Sequence, residues 1–478
     1  VNRRDFLRAG GASVFGYALT KFIRPPEILA QGRRPVRNTA RNAIFIMLNG
    51  GPSHVDLFDI KSNDSSKTRR IRPDNYETQL DIQNVNGIDL PMGLFPNFSK
   101  HLDKTVIVRS QWGWSAAHNI AQYWIYTSQD FNPAFAAERP SVGAVVAYEA
   151  YRRRGANDVL PGFVSLNGLP YANGFLSGVF APFTVSANPN GLGNLLDHPD
   201  GEARFGVRWG QLQTLDAANR GANPSLGRPV SDFADFYNST KKIMYNPTVQ
   251  QTFRFTNGEG SEAQRYGNGQ ANGTGFGNAC IVARNLMKAN NGTRFVWITL
   301  GGWDMHTNIY NPGIFNLARV LDVGLGNLLA DLRAEPGTQP GKSLLDETLI
   351  ILNGDFGRRP GQIVASTGLN NGNGRDHWNR AMDAVFIGGG IRGGRVIGAT
   401  DDTGDNITDI GWTPPDGRPG TGSFPGAGPY IRTEDLYYTM YSALGIDPST
   451  RIADTPSRRA YDYVYRGPNT FFGEIPLW

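Results

Sequence analysis

The chain has 478 residues, 47 Lys and Arg against 42 Asp and Glu, 59 glycines, 30 prolines and one cysteine. Cys280 alone excludes an intramolecular disulfide and any multi-cysteine zinc or iron–sulfur centre, and no apolar run reaches the ~18 residues a membrane span needs. The first thirty residues hold five basic and two acidic side chains, which leaves a nearly neutral body and argues against a nucleic-acid binder.

Taken in chain order, the first element is an address. Arg3 and Arg4 precede Asp5-Phe6-Leu7, and a short, weakly apolar stretch follows to Leu19. Paired arginines ahead of such a stretch predict a twin-arginine export signal over residues 1–30. The expected partner is the twin-arginine export machinery. The mature chain then begins near Gln31 and resides in the periplasm, at the cell surface or outside the cell.

The body alternates strands and helices. Apolar runs predict strands at residues 41–48, 105–109, 162–166, 293–300, 348–352 and 381–387. Helical spacing predicts helices over 141–154, 275–289, 313–333 and 433–444, the first with a basic end at Arg152-Arg153-Arg154. Residues 167–275 are rich in Gly, Asn and Pro and read as an insertion, with some helix near 229–244. The pattern predicts an α/β fold with a central, mostly parallel sheet and helices on both faces. Neither a repeat nor a linker stands out, so residues 31–478 are expected to form one domain.

In open α/β sheets, ligands bind beyond the carboxyl ends of strands. Four of the six histidines, His54, His118, His306 and His377, lie in segments that follow or neighbour the predicted strands. The segments read Asn49-Gly50-Gly51-Pro52-Ser53-His54-Val55-Asp56, Trp303-Asp304-Met305-His306, Asp355-Phe356-Gly357-Arg358 and Arg375-Asp376-His377. Asp and neutral His are ligands of zinc, manganese and iron. Asp304, His306, Asp355 and His377 are therefore the expected ligands of one divalent cation, with Asn49, His118 and Asp376 around them and Trp303 as a wall against water. Arg358 and Arg375 are placed to receive an anionic group in bidentate fashion. His54 and Asp56 read as a helix start after Pro52, and His101 and His198 as surface residues. No nucleotide cofactor is expected. Gly-x-Gly-x-x-Gly does not follow the first strand, and Gly341-Lys342-Ser343 has Pro336 where a phosphate loop requires its first glycine.

Together these segments resemble a bacterial family known as domain of unknown function 1501, within the alkaline phosphatase/sulfatase superfamily. Further matching pieces are Pro140-Ser141-Val142-Gly143, Arg265-Tyr266-Gly267 and Gly388-Gly389-Gly390. The resemblance implies an alkaline phosphatase-like three-layer sandwich and metal-dependent cleavage of phosphate or sulfate esters. An anionic ester or polymer would be the substrate. It also exposes departures. The superfamily has a metal-binding Asp where this chain has Asn49, and the sulfatase Cys-x-Pro-x-Arg setting is missing. Ser53 and Ser115 are the candidate nucleophiles. The alternative is an exported binding or scaffold protein whose site has lost its chemistry.

Overall fold

The computed structural model describes residues 35–478 except 64–70, 169–170, 193–200, 223–240, 242, 268–273, 361–373, 414–429 and 467–472. The export signal therefore lies outside the described residues, as do His198 and most of the helix expected near 229–244.

Eight strands form the central sheet: β1 (Asn42–Asn49), β2 (Thr105–Gln111), β3 (Phe163–Leu166), β4 (Phe183–Val185), β5 (Phe295–Gly301), β6 (Thr348–Gly354), β7 (Met382–Gly388) and β8 (Arg395–Ile397). Their order is β8-β2-β7-β6-β1-β5-β3-β4. All run parallel except β7, which is antiparallel to both its neighbours, β2 and β6. Side chains alternate across each strand, so β1 serves two cores. Ile44, Ile46 and Leu48 pack on one face with Val296, Ile298, Ile350 and Leu352, under α3 (Thr274–Ala289) and α4 (Ile314–Ala334). Ala43, Phe45 and Met47 pack on the other face with Trp297 and Ile351. That face lies under α2 (Val142–Tyr151), α5 (Thr433–Ala443) and the last turn of α1 (His118–Thr127). The result is an α/β sandwich of three layers. Phe45 stacks on Trp297 at 4.4 Å between ring centroids, and burying a side chain of that size contributes about 1.5–3 kcal/mol. With the segment before it, α4 is long and apolar enough to cross a membrane, yet it lies mostly buried in the first core, where that composition is needed.

Two features went unforeseen. The insertion contains a 22-residue helix, Gly201–Ala222. The run at 381–387 carries no sign of its direction, and its antiparallel course decides how the site is assembled. A strand running against its neighbours begins where they end, so the residues just before β7 arrive at the carboxyl ends of β1, β5 and β6.

Candidate metal centre

Register brings the strand ends level: Asn49 of β1 pairs with Gly301 of β5, and Leu48 with Gly354 of β6. The turn after β1 is built from glycines. Gly50 has φ +117°, and a Cβ there would sit 2.5 Å from the amide nitrogen of Asp304. Only glycine permits both the conformation and the contact. This turn aims two successive N–H groups at one carboxylate, an anion-holding arrangement: Gly50 and Gly51 donate to Asp355 Oδ1 at 3.0 and 2.8 Å. The segment before β7 is pinned in the same way. Gly374 lies so close to His306 that a Cβ would meet its carbonyl oxygen at 1.8 Å. His377 and Trp378 then pair with Arg358 and Gly357 in a short antiparallel ladder.

On this frame, Nε2 of three histidines converges on Asp304. From Asp304 Oδ1, His306 Nε2 lies at 3.1 Å and His377 Nε2 at 3.3 Å. From Asp304 Oδ2, His118 Nε2 lies at 3.4 Å. Ligand atoms of His118, Asp304 and His377 all fall within 4.8 Å of one another. Each ring is fixed at its other nitrogen: His118 Nδ1 by Asp355 Oδ2 at 2.5 Å, His306 Nδ1 by Asp376 Oδ1 at 3.0 Å, and His377 Nδ1 by the Ala116 carbonyl at 2.7 Å. A carbonyl only accepts, so Nδ1 of His377 carries the proton and a neutral ring leaves Nε2 a bare lone pair. His306 Nε2 lies 2.9 Å from it. Buried Nε2 of His118 makes no hydrogen bond among the described residues. Rings anchored at Nδ1 by carboxylates and a carbonyl, with Nε2 turned toward one carboxylate, are how metal-binding histidines are held. The donor set fits a divalent cation.

The charges agree. Burial alone would raise the pKa of Asp304, but its hydrogen bond and attraction to Arg358, with His118 and His306 nearby, hold it down to about 2. The hydrogen bond to Asp355 raises His118. Burial, opposed by the Ala116 carbonyl and reinforced by Arg358, lowers His377.

The expected residues are arranged as follows in the fold. Gly50, Gly51, His118 and Gln122 (3.0 Å) occupy both oxygens of Asp355. His118, expected in the surroundings, stands beside Asp304 and His377. Asp376 orients His306 from outside. Asn49 Oδ1 accepts from Gln122 Nε2 at 2.7 Å and sits behind Asp355. Gln122 itself was missed, although it lies one helical turn after His118, on the same face of α1.

Arg375 points away from the site, and Arg358 reaches it only through Asp304. Arg358 is fully buried and donates to the carbonyls of Gly50, Gly51 and Arg375 and to Asp304. Arg375 is buried and donates to Asp56 at 2.9 Å, to Tyr310 and to the Ile71 and Arg359 carbonyls. Ser53 Oγ donates to Asp56 Oδ2 at 2.6 Å, so its hydroxyl belongs to that same network. Ser115 Oγ, half-buried, accepts from the Ala117 amide at 3.0 Å and opens α1. Residues 54–56 do form a short 3-10 helix, but no side chain caps it, and His54 is buried with Nε2 2.8 Å from the Gly404 carbonyl. His101 is buried rather than on the surface.

A family described as "Protein of unknown function (DUF1501)" matches residues 40–416. No curated protein matches the chain in sequence. Among solved structures, the chain is similar to the lipoteichoic acid synthase LtaP from Listeria monocytogenes, with 10% identity, a TM-score of 0.35, and coverage of 90% of this chain and 78% of the other. A protein in the alkaline phosphatase superfamily from Vibrio parahaemolyticus matches with 11% identity and a TM-score of 0.32, over 94% and 76%. The PsFucS1 sulfatase from Pseudoalteromonas sp. matches with 11% identity and a TM-score of 0.32, over 93% and 72%.

Proposed function

Since this chain belongs to the DUF1501 family, whose description leaves the activity open, we propose its reaction from its own site: hydrolysis of phosphate or sulfate esters. A zinc, manganese or iron ion would be held by His118, Asp304 and His377, with His306 beside them. The observation that carries this reading is the convergence of three Nε2 atoms on one carboxylate, each ring anchored at Nδ1. A cation there supplies Lewis acidity, drawing electron density from an ester oxygen and acidifying a hydroxyl. The chain's own groups prepare for it. Arg358 keeps Asp304 ionised, while Asp355, Asp376 and the Ala116 carbonyl keep the Nε2 lone pairs turned inward. Buried Trp303 fills the core beneath the loop that carries Asp304.

Elemental analysis of protein purified without chelator is expected to find about one zinc, manganese or iron ion per chain. Turnover of p-nitrophenyl phosphate or p-nitrophenyl sulfate should then disappear on dialysis against EDTA and return when the metal is restored. Protein free of metal, or turnover indifferent to EDTA, would remove this reading. A specific observation favours a second one, an exported binding or scaffold protein: the Ser53 hydroxyl is buried and donates to Asp56. A filled site that turns over neither ester supports that alternative.

Export belongs to the same proposal, motivated by Arg3 and Arg4 ahead of a weakly apolar stretch. Replacing both by lysine is expected to leave precursor in the cytoplasm, read by fractionation and immunoblot. Undiminished export of that variant would count decisively against the twin-arginine route.

A further inference from the structure

At the other end of the sheet, roughly 25 Å along β1 at ~3.3 Å per residue, lies a cavity of about 320 Å³. Its charged lining is Arg41, Arg153, Arg154, Arg294, Asp158 and Glu347. These arginines come from three places. Arg41 precedes β1, Arg294 precedes β5, and Arg153 and Arg154 follow the end of α2. A basic helix end alone is explained by the helix dipole, but that leaves Arg41 and Arg294 without a reason.

The two carboxylates do not balance the four cations. Glu347 is occupied by the amide and hydroxyl of Thr338, at 2.9 and 2.8 Å, and by the amide of Gln339, at 2.7 Å. Asp158 accepts from the Gly155 amide at 2.8 Å and approaches Arg294 only to 3.9 Å. Arg154 donates to the carbonyls of Asp158, Leu160 and Gly292. Arg294 donates to Asn290 Oδ1 and the Thr293 carbonyl, at 3.2 and 3.1 Å. Neutral partners hold these guanidinium groups in place without cancelling their charge. Burial, then repulsion from Arg41, and from Arg154 and Arg153 against the pull of Asp158, brings Arg294 down to about 10. Burial lowers Arg154 as well, despite Asp158.

We propose that this cavity binds an anion, a phosphate or sulfate group carried on a sugar-sized organic molecule. Guanidinium forks match such oxyanions in bidentate fashion, and the volume lies in the range of small-molecule sites. The site is separate from the histidine cluster and does not depend on its chemistry.

Calorimetric titration of the full chain with glucose 6-phosphate, glucose 6-sulfate and inorganic phosphate tests this. Saturable binding of at least one sugar ester is expected, tighter than that of inorganic phosphate and weakening as salt rises. It should fall at least about tenfold in an Arg41→Ser, Arg153→Ser variant, because both side chains are exposed and their loss leaves the core intact. The binding lost in that variant should persist in His118→Ala, His377→Ala. Which of the two esters binds tighter names the source of the anion. Absence of saturable binding, affinity that survives loss of both arginines, loss with the histidine pair instead, or inorganic phosphate binding as tightly as both esters would each overturn the proposal.

Discussion

Asp56→Asn is expected to lower the stability of the fold by about 3–5 kcal/mol, the cost of leaving a buried charge without its partner. Asp56 is wholly buried and receives Arg72 Nε at 2.8 Å, Arg375 Nε at 2.9 Å, Tyr310 Oη at 2.9 Å and Ser53 Oγ at 2.6 Å. Arg72 keeps Glu77 in the variant, but Arg375 loses the carboxylate it pairs with. Urea melts at neutral pH read the change as a lower midpoint. Replacing Arg375 by methionine in the same chain should recover part of the loss, because the stranded charge goes with it. A single variant within 1 kcal/mol of the natural chain would show that the network carries little stability.

The same network has a pH signature. Burial would raise the pKa of Asp56, but Arg375 and Arg72, with the hydrogen bonds of Ser53 and Arg72, outweigh it and bring the group from 3.8 to about 2. A depressed carboxylate pKa contributes stability that is present above the unfolded value and disappears as pH falls through the folded one. The contribution, on the order of 2 kcal/mol, should therefore be complete above about pH 4 and lost toward pH 2. Asp56→Asn should flatten that portion of the stability curve.

The second large effect separates a ligand from the group that orients one. Asp304→Ala removes the carboxylate on which the three Nε2 atoms converge and leaves Arg358 facing them, so metal affinity should fall by more than about 100-fold. Asp355→Asn acts at one remove. Its oxygen still accepts from Gly50 and Gly51, but its amide N–H groups face His118 Nδ1 and Gln122, which are donors themselves. His118 then loses its anchor, and affinity should fall by about 10- to 100-fold. Competition with a zinc chelator ranks the two. If Asp355→Asn proves the more damaging, Asp355 is the ligand and the geometry drawn here for it is wrong.

Much of this was readable from sequence because the sheet is buried on both faces. Strands such as Ile44–Leu48 and Leu349–Leu352 are continuous apolar runs, and Asp304 and His306 follow another strand, Phe295–Gly301. What could not be read depends on contacts between distant residues. Nothing in Met382–Gly388 tells its direction, yet that direction delivers His377. Arg358 and Arg359 are adjacent and chemically alike, but pleating sends the first inward and leaves the second exposed. His118 and Asp355 both stood near strand ends, and only the 2.5 Å hydrogen bond between them decides which faces the cluster. The helix at 201–222 escaped because its apolar residues lie on more than one side of it. Val207 and Leu215 are exposed on it.

The place of β1 in the middle of the sheet has a consequence for synthesis. Its two partners, β5 and β6, are encoded some 250 and 300 residues later. At a ribosome speed of about 5–20 residues per second, the apolar segment 42–49 waits on the order of tens of seconds before either edge is matched. Contacts of such sequence separation fold slowly and leave sticky intermediates. The newborn chain must therefore be shielded until nearly three quarters of it has emerged, and slow translation or a shortage of chaperones should show first as aggregation through this segment.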